Sequence, residues 1–90
     1  DAGSKVLTSD LFGMNDHGAV VNFPELRITQ LSEEHGTIMS EQKTNLEIGQ
    51  KIQIIPNHAC VVTNMLDEVN LITEEKKIKK VKVIARGKVW

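Results

Sequence analysis

The chain has 90 residues, 40% of them hydrophobic and 26% charged, which suits one folded domain with a modest core and argues against disorder. A formal net charge of -1 excludes an electrostatic case for nucleic acid or an anionic membrane. The only aromatic residues are Phe12, Phe23 and Trp90, too few for a base-stacking platform. One cysteine cannot form an internal disulfide, so a reducing cytoplasmic compartment is expected. No apolar run approaches the roughly 20 residues of a membrane span, and no signal peptide is visible. The chain starts at Asp1 without methionine, which reads as processing or as a cut from something longer.

Residues 1–18 are rich in Gly, Asp, Asn and Ser around Val6-Leu7, a composition of turns rather than helix. Val20 to Phe23 reads as a short strand stopped by Pro24. Along Leu26–Leu31, Leu26 and Ile28 face one way while Arg27 and Thr29 face the other. Ser32-Glu33-Glu34-His35-Gly36 interrupts this run, and Thr37–Met39 resumes a strand. After a polar loop, Gly49 provides a permissive turn and Lys51–Ile55 sets Ile52 and Ile54 on one face. His58–Leu66 lacks Gly and Pro and can form a helical turn carrying Ala59, Val62 and Met65 on one side. Glu68–Thr73 and Lys80–Arg86 are the last strand candidates. About six short strands with frequent turn signals imply a mostly β fold, a small barrel or sandwich.

The chemistry concentrates at Ile54-Ile55-Pro56-Asn57-His58-Ala59-Cys60. Imidazole and thiolate are ligands for a borderline-soft metal such as zinc. Two ligands are fewer than the four of a closed structural site, and they leave positions for water or substrate. The plain alternative makes Cys60 a small buried hydrophobe and His58 a hydrogen-bonded loop residue. Glu33-Glu34-His35-Gly36 offers His35 as a candidate acid–base group, against a charged turn as its plain reading. A third arrangement joins His17, His35, His58 and Cys60 into a structural zinc site of three histidines and one cysteine. The run from Lys76 to Lys82 alternates with Ile78 and Val81 and reads as a solvated strand face. Lys5, after Gly3-Ser4, lacks the strand–glycine–helix context of a phosphate loop.

Five blocks occur in a familiar order: Asp1-Ala2-Gly3-Ser4-Lys5, Glu33-Glu34-His35-Gly36, Leu46-Glu47-Ile48-Gly49-Gln50, Ile55-Pro56-Asn57-His58-Ala59-Cys60 and Ala85-Arg86-Gly87-Lys88. Over nearly its whole length the chain resembles the carboxy-terminal domain of the D-threonine aldolase and D-serine dehydratase family. These are metal-activated, pyridoxal-phosphate-dependent lyases of the alanine-racemase fold type. The resemblance implies a Greek-key-like β-barrel, as in the alanine racemase carboxy-terminal domain. It makes residues 1–90 a single β-domain, with the amino-terminal (β/α)8 barrel absent from this chain. That missing domain carries the lysine Schiff base and most of the pyridoxal phosphate site, so Lys5 has no such role and the chain alone is expected to be inactive. The resemblance assigns a divalent metal to His58 and Cys60, zinc on ligand softness with manganese as the alternative. The metal engages the 3-hydroxyl of a small-molecule D-amino acid, for dehydration or aldol cleavage alike. The partners implied are the enzyme's own barrel domain and a second copy in a homodimer. The rival reading is a non-catalytic stand-alone interaction or structural zinc-binding module.

Overall fold

The computed structural model describes residues 1–88; Val89 and Trp90 lie outside the described residues. The element order is α1 (Ser4–Leu7), β1 (Ala19–Val20), β2 (Leu26–Leu31), β3 (Gly36–Ser40), β4 (Ile54–Ile55), α2 (Ala59–Asn64), β5 (Glu68–Ile72) and β6 (Ile78–Lys82). The fold is mostly β, as expected. Its strands form an antiparallel four-stranded sheet in the order β3-β2-β1-β4 and a separate β5-β6 hairpin; among the described residues the strands do not close into a barrel.

Strand β2 carries the alternation read from the sequence, with Leu26 and Ile28 buried and Arg27 exposed. The ladder to β3 shifts between Ile28 and Gln30, leaving Thr29 as an extra residue opposite Ile38 and Thr37. Leu7, Val20, Leu26 and Ile28 are the buried core, and Ala2, Phe23, Leu31, Ile38, Leu46, Ile52 and Ile54 pack against it. Leu7 reaches this core from α1, a single turn where the sequence predicted only loop turns. The turn is anchored at its own first two residues. Ser4 and Lys5 donate their N–H groups to the carbonyls of Ser32 and Glu33, at 2.8 and 3.1 Å. Pairing across such a distance in sequence has no local signal.

The hairpin differs from the main sheet. Only Val69 of β5 is half-buried, and every residue of β6 is exposed. The Lys-rich strand is therefore a solvated face, displaced from the expected Lys80–Arg86 to Ile78–Lys82. Arg86 instead belongs to the following turn, with its Nε 3.0 Å from Asp67. No described helix is long and apolar enough to cross a membrane.

Candidate metal half-site

Helix α2 begins inside the sequence's most informative block, at Ala59. Pro56 and Asn57 end the strand, and His58 occupies the N-cap position with φ -140° and ψ 91°, placing Cys60 in the first turn. The half-buried side of the helix comprises Val61, Val62 and Asn64, whereas Ala59 and Met65 are exposed; the expected Ala59–Val62–Met65 face is thus rotated. Cys60 is also exposed, which overturns its reading as a small buried hydrophobe.

His58 is held from the opposite direction by the loop between α1 and β1. Phe12 lies against the imidazole with ring centroids 5.1 Å apart. Asp10 Oδ2 approaches His58 Nδ1 to 3.8 Å. The neighbouring Asn57 side chain donates to the carbonyls of Asp16 and Leu11, at 2.6 and 3.3 Å. Asp16 is in turn tied to β2, its carboxylate accepting from Arg27 Nη2 at 3.0 Å and Nε at 3.2 Å. This hydrogen bond, reinforced by the charge of Asp16, raises the pKa of the Arg27 guanidinium. Arg27 of β2 and Asn57 thus both anchor the loop whose Asp10 and Phe12 meet the imidazole.

The other sequence candidates fall elsewhere. His35 sits in the exposed β2–β3 turn, where its N–H and carbonyl both engage Ser32. With Asp1, Gly3, Lys5, Val6, Glu33 and Glu34 it lines a depression of about 370 Å³ that includes neither His58 nor Cys60. Lys5 Nζ lies 3.1 Å from Glu34 Oε1 and 3.7 Å from Glu33 Oε2, so the lysine serves those carboxylates. His17 donates its backbone N–H to Ile28, while its Nδ1 is buried without a hydrogen-bond partner. Among the described residues, no three or more His, Cys, Asp and Glu side chains assemble into a group able to hold a metal. The structural zinc arrangement of His17, His35, His58 and Cys60 is therefore not formed.

His58 and Cys60 lie two residues apart at the start of α2, and the described residues bring no third His, Cys, Asp or Glu donor to them. The donor pair is of the right softness for zinc. Nδ1 of His58 is enclosed and unbonded, which leaves Nε2 as its outward nitrogen. Such a pair supplies two ligands, and water or substrate must provide the remainder. The contacts of Asp10 and Phe12 with His58 were hidden in the sequence, where the Asp10–Asn15 loop carried no motif beyond turn residues.

Comparison with known proteins gives the chain its family. Residues 1–72, which include both donors, match the family described as "Putative serine dehydratase domain". The chain belongs to that family. The resemblance to the carboxy-terminal domain of the D-serine dehydratase type is thus borne out. The chain is also 35% identical over 91 residues to the D-serine dehydratase of Dictyostelium discoideum, covering 87% of this chain and 23% of that enzyme. It is 37% identical over 90 residues to uncharacterized proteins of Mycobacterium bovis and Mycobacterium tuberculosis, covering 98% of this chain and 68% of theirs. No solved structure matches.

Proposed function

We propose that this serine dehydratase-family chain is the metal-binding carboxy-terminal domain of a pyridoxal-phosphate-dependent lyase acting on 3-hydroxy-D-amino acids. Residues 1–90 form its β-domain, and a (β/α)8 barrel domain supplies the cofactor lysine. The supporting observation is the His58–Cys60 pair itself. It lies in the family-matched region, with the imidazole packed on Phe12 and the thiol exposed at the start of α2. When bound, zinc or manganese supplies Lewis acidity toward the substrate's 3-hydroxyl, and pyridoxal phosphate supplies the electron sink for the α-carbon.

Within that division of labour this chain binds and orients. His58 and Cys60 hold the ion, and the loop carrying Asp10 and Phe12 fixes the imidazole. Retro-aldol cleavage and dehydration require the same placement, so the ligands do not distinguish them. His35 has a secondary role at most, because its depression does not include the donor pair. The working unit is a homodimeric cytoplasmic enzyme with a small D-amino acid as substrate.

The test is an assay of the longer enzyme carrying this domain, with D-serine and D-threonine across several metals. Chelation abolishes activity, and zinc or manganese returns it. Full activity after thorough metal removal, or in a His58→Ala variant, would refute the role given to the metal.

A second reading has its own support. Nearly the whole chain accounts for 68% of the length of the mycobacterial relatives. Proteins of that size have no room for a barrel of roughly 250 residues. In such a setting the domain acts as a stand-alone interaction module, or with a barrel on another chain. Co-purification with a pyridoxal-phosphate protein separates those two cases.

A further inference from the structure

We propose that Asp10 is a positioning residue for His58, fixing the tautomer that leaves Nε2 free to bind the metal. This inference rests on the metal-binding reading above and goes beyond its two ligands.

The two imidazole nitrogens occupy different surroundings. Nδ1 is enclosed by protein and makes no hydrogen bond, and the carboxylate of Asp10 lies 3.8 Å away. Among the described residues no hydrogen bond engages Nε2, and the side chain is 31% exposed although Nδ1 is buried. An imidazole needs a proton on one nitrogen and a lone pair on the other to act as a neutral ligand. A carboxylate can only accept, so its position beside Nδ1 favours the proton there and directs the lone pair to Nε2.

Asp10 is set up for this task. Its Oδ1 accepts the backbone N–H of Phe12 at 2.9 Å, and its own N–H donates to Thr8 Oγ1 at 3.2 Å. These bonds hold the carboxylate in place and leave Oδ2 for the ring. Phe12, which receives this anchoring, is also the residue packed on His58. Phe12 and Thr8 have φ values of 49° and 62°, a conformation uncommon outside glycine. The loop accepts unfavourable backbone geometry at two positions on either side of the carboxylate. A 3.8 Å separation is longer than a hydrogen bond. Because the Asp10 side chain is half exposed, a movement of about 1 Å closes the gap without disturbing the core.

The experiment is long-range 1H–15N correlation on the metal-free chain at alkaline pH, followed by zinc titration of wild type, Asp10→Ala, Asp10→Asn, His58→Ala and Cys60→Ala. Wild-type His58 is expected as the Nδ1–H tautomer. Asp10→Ala should shift the ring toward Nε2–H and weaken zinc binding roughly 10–100-fold, as is typical for loss of a carboxylate behind a ligating histidine. Asp10→Asn, which keeps an acceptor oxygen, should restore part of both. A predominant Nε2–H tautomer in the wild type overturns the proposal without requiring any variant to fold. So does an Asp10→Ala variant with unchanged tautomer and affinity. If His58→Ala and Cys60→Ala bind zinc as well as wild type, the metal reading fails instead, whatever the tautomer shows.

Discussion

Gly3 lies so close to Glu34 that a Cβ added to the glycine would sit 2.5 Å from the Glu34 backbone nitrogen, and equally close to Glu33 O and His35 N. The backbone of Gly3 has an ordinary φ of -93°, so the demand for glycine is one of space and not conformation. The opening block and the Glu33–Gly36 block thus interlock through their main chains. Gly36 repeats the arrangement from the other side, its missing Cβ facing Ala2 O at 2.9 Å. Gly3→Ala is expected to destabilise the domain by about 1–3 kcal/mol through overpacking, read as a lower urea midpoint. An unchanged midpoint would show that the two blocks separate easily.

Ile28 is the most completely buried side chain among the described residues, at 1% exposure, and β2 brings it into the core between β1 and β3. Ile28→Ala should cost about 2–5 kcal/mol. With only four buried apolar residues in the described core, such a loss consumes a large share of the domain's stability. Circular dichroism melting of the variant should show a broad transition or none. A sharp transition at the wild-type temperature would contradict the placement of Ile28 at the centre of the core.

Asn57 joins the Ile54–Cys60 block to the loop that seats His58. Its amide donates to the carbonyls of Leu11 and Asp16; Asn57→Ala removes the 2.6 Å bond to Asp16 O, while Leu11 O keeps the N–H of Met14 at 2.8 Å. A loss of about 1–3 kcal/mol is expected. The diagnostic signature is local: the backbone resonances of residues 10–17 should broaden or shift while those of β2 remain. Uniform change across the chain would point to a purely global effect.

The β5–β6 hairpin should open well before the sheet. Its strands pair only with each other and bury little, and an isolated hairpin is marginal in water. Amide exchange is expected to be fast throughout Glu68–Ile72 and Ile78–Lys82, and slowest at Leu26 and Ile28. Equal protection in the two sheets would mean that the hairpin folds with the core.

Much of this architecture was readable because it is periodic. Leu26 and Ile28 announced their face through alternation, and the strand expected at Thr37–Met39 is β3, one residue longer at each end. His58 and Cys60 stood out as candidate donors through residue chemistry and through the company of the other four blocks. What escaped was non-local. Helix α1 depends on carbonyls of Ser32 and Glu33, nearly thirty residues away. The barrel expected from the resemblance gave way to two separate sheets, because β4 is only two residues long and pairs with β1 alone. The surroundings of His58 escaped for the same reason: Asp10 and Phe12 reach it across more than forty residues of chain, and nothing in a loop of turn-forming residues signals its partner.

Zinc titration of the 90-residue chain, followed calorimetrically in wild type and in His58→Ala and Cys60→Ala, tests the central assignment most directly. One weakly held ion per wild-type chain, lost in each variant with the fold intact, is the predicted result. Wild-type chain that takes up no zinc, or variants that bind it undiminished, would contradict the assignment of the metal to His58 and Cys60.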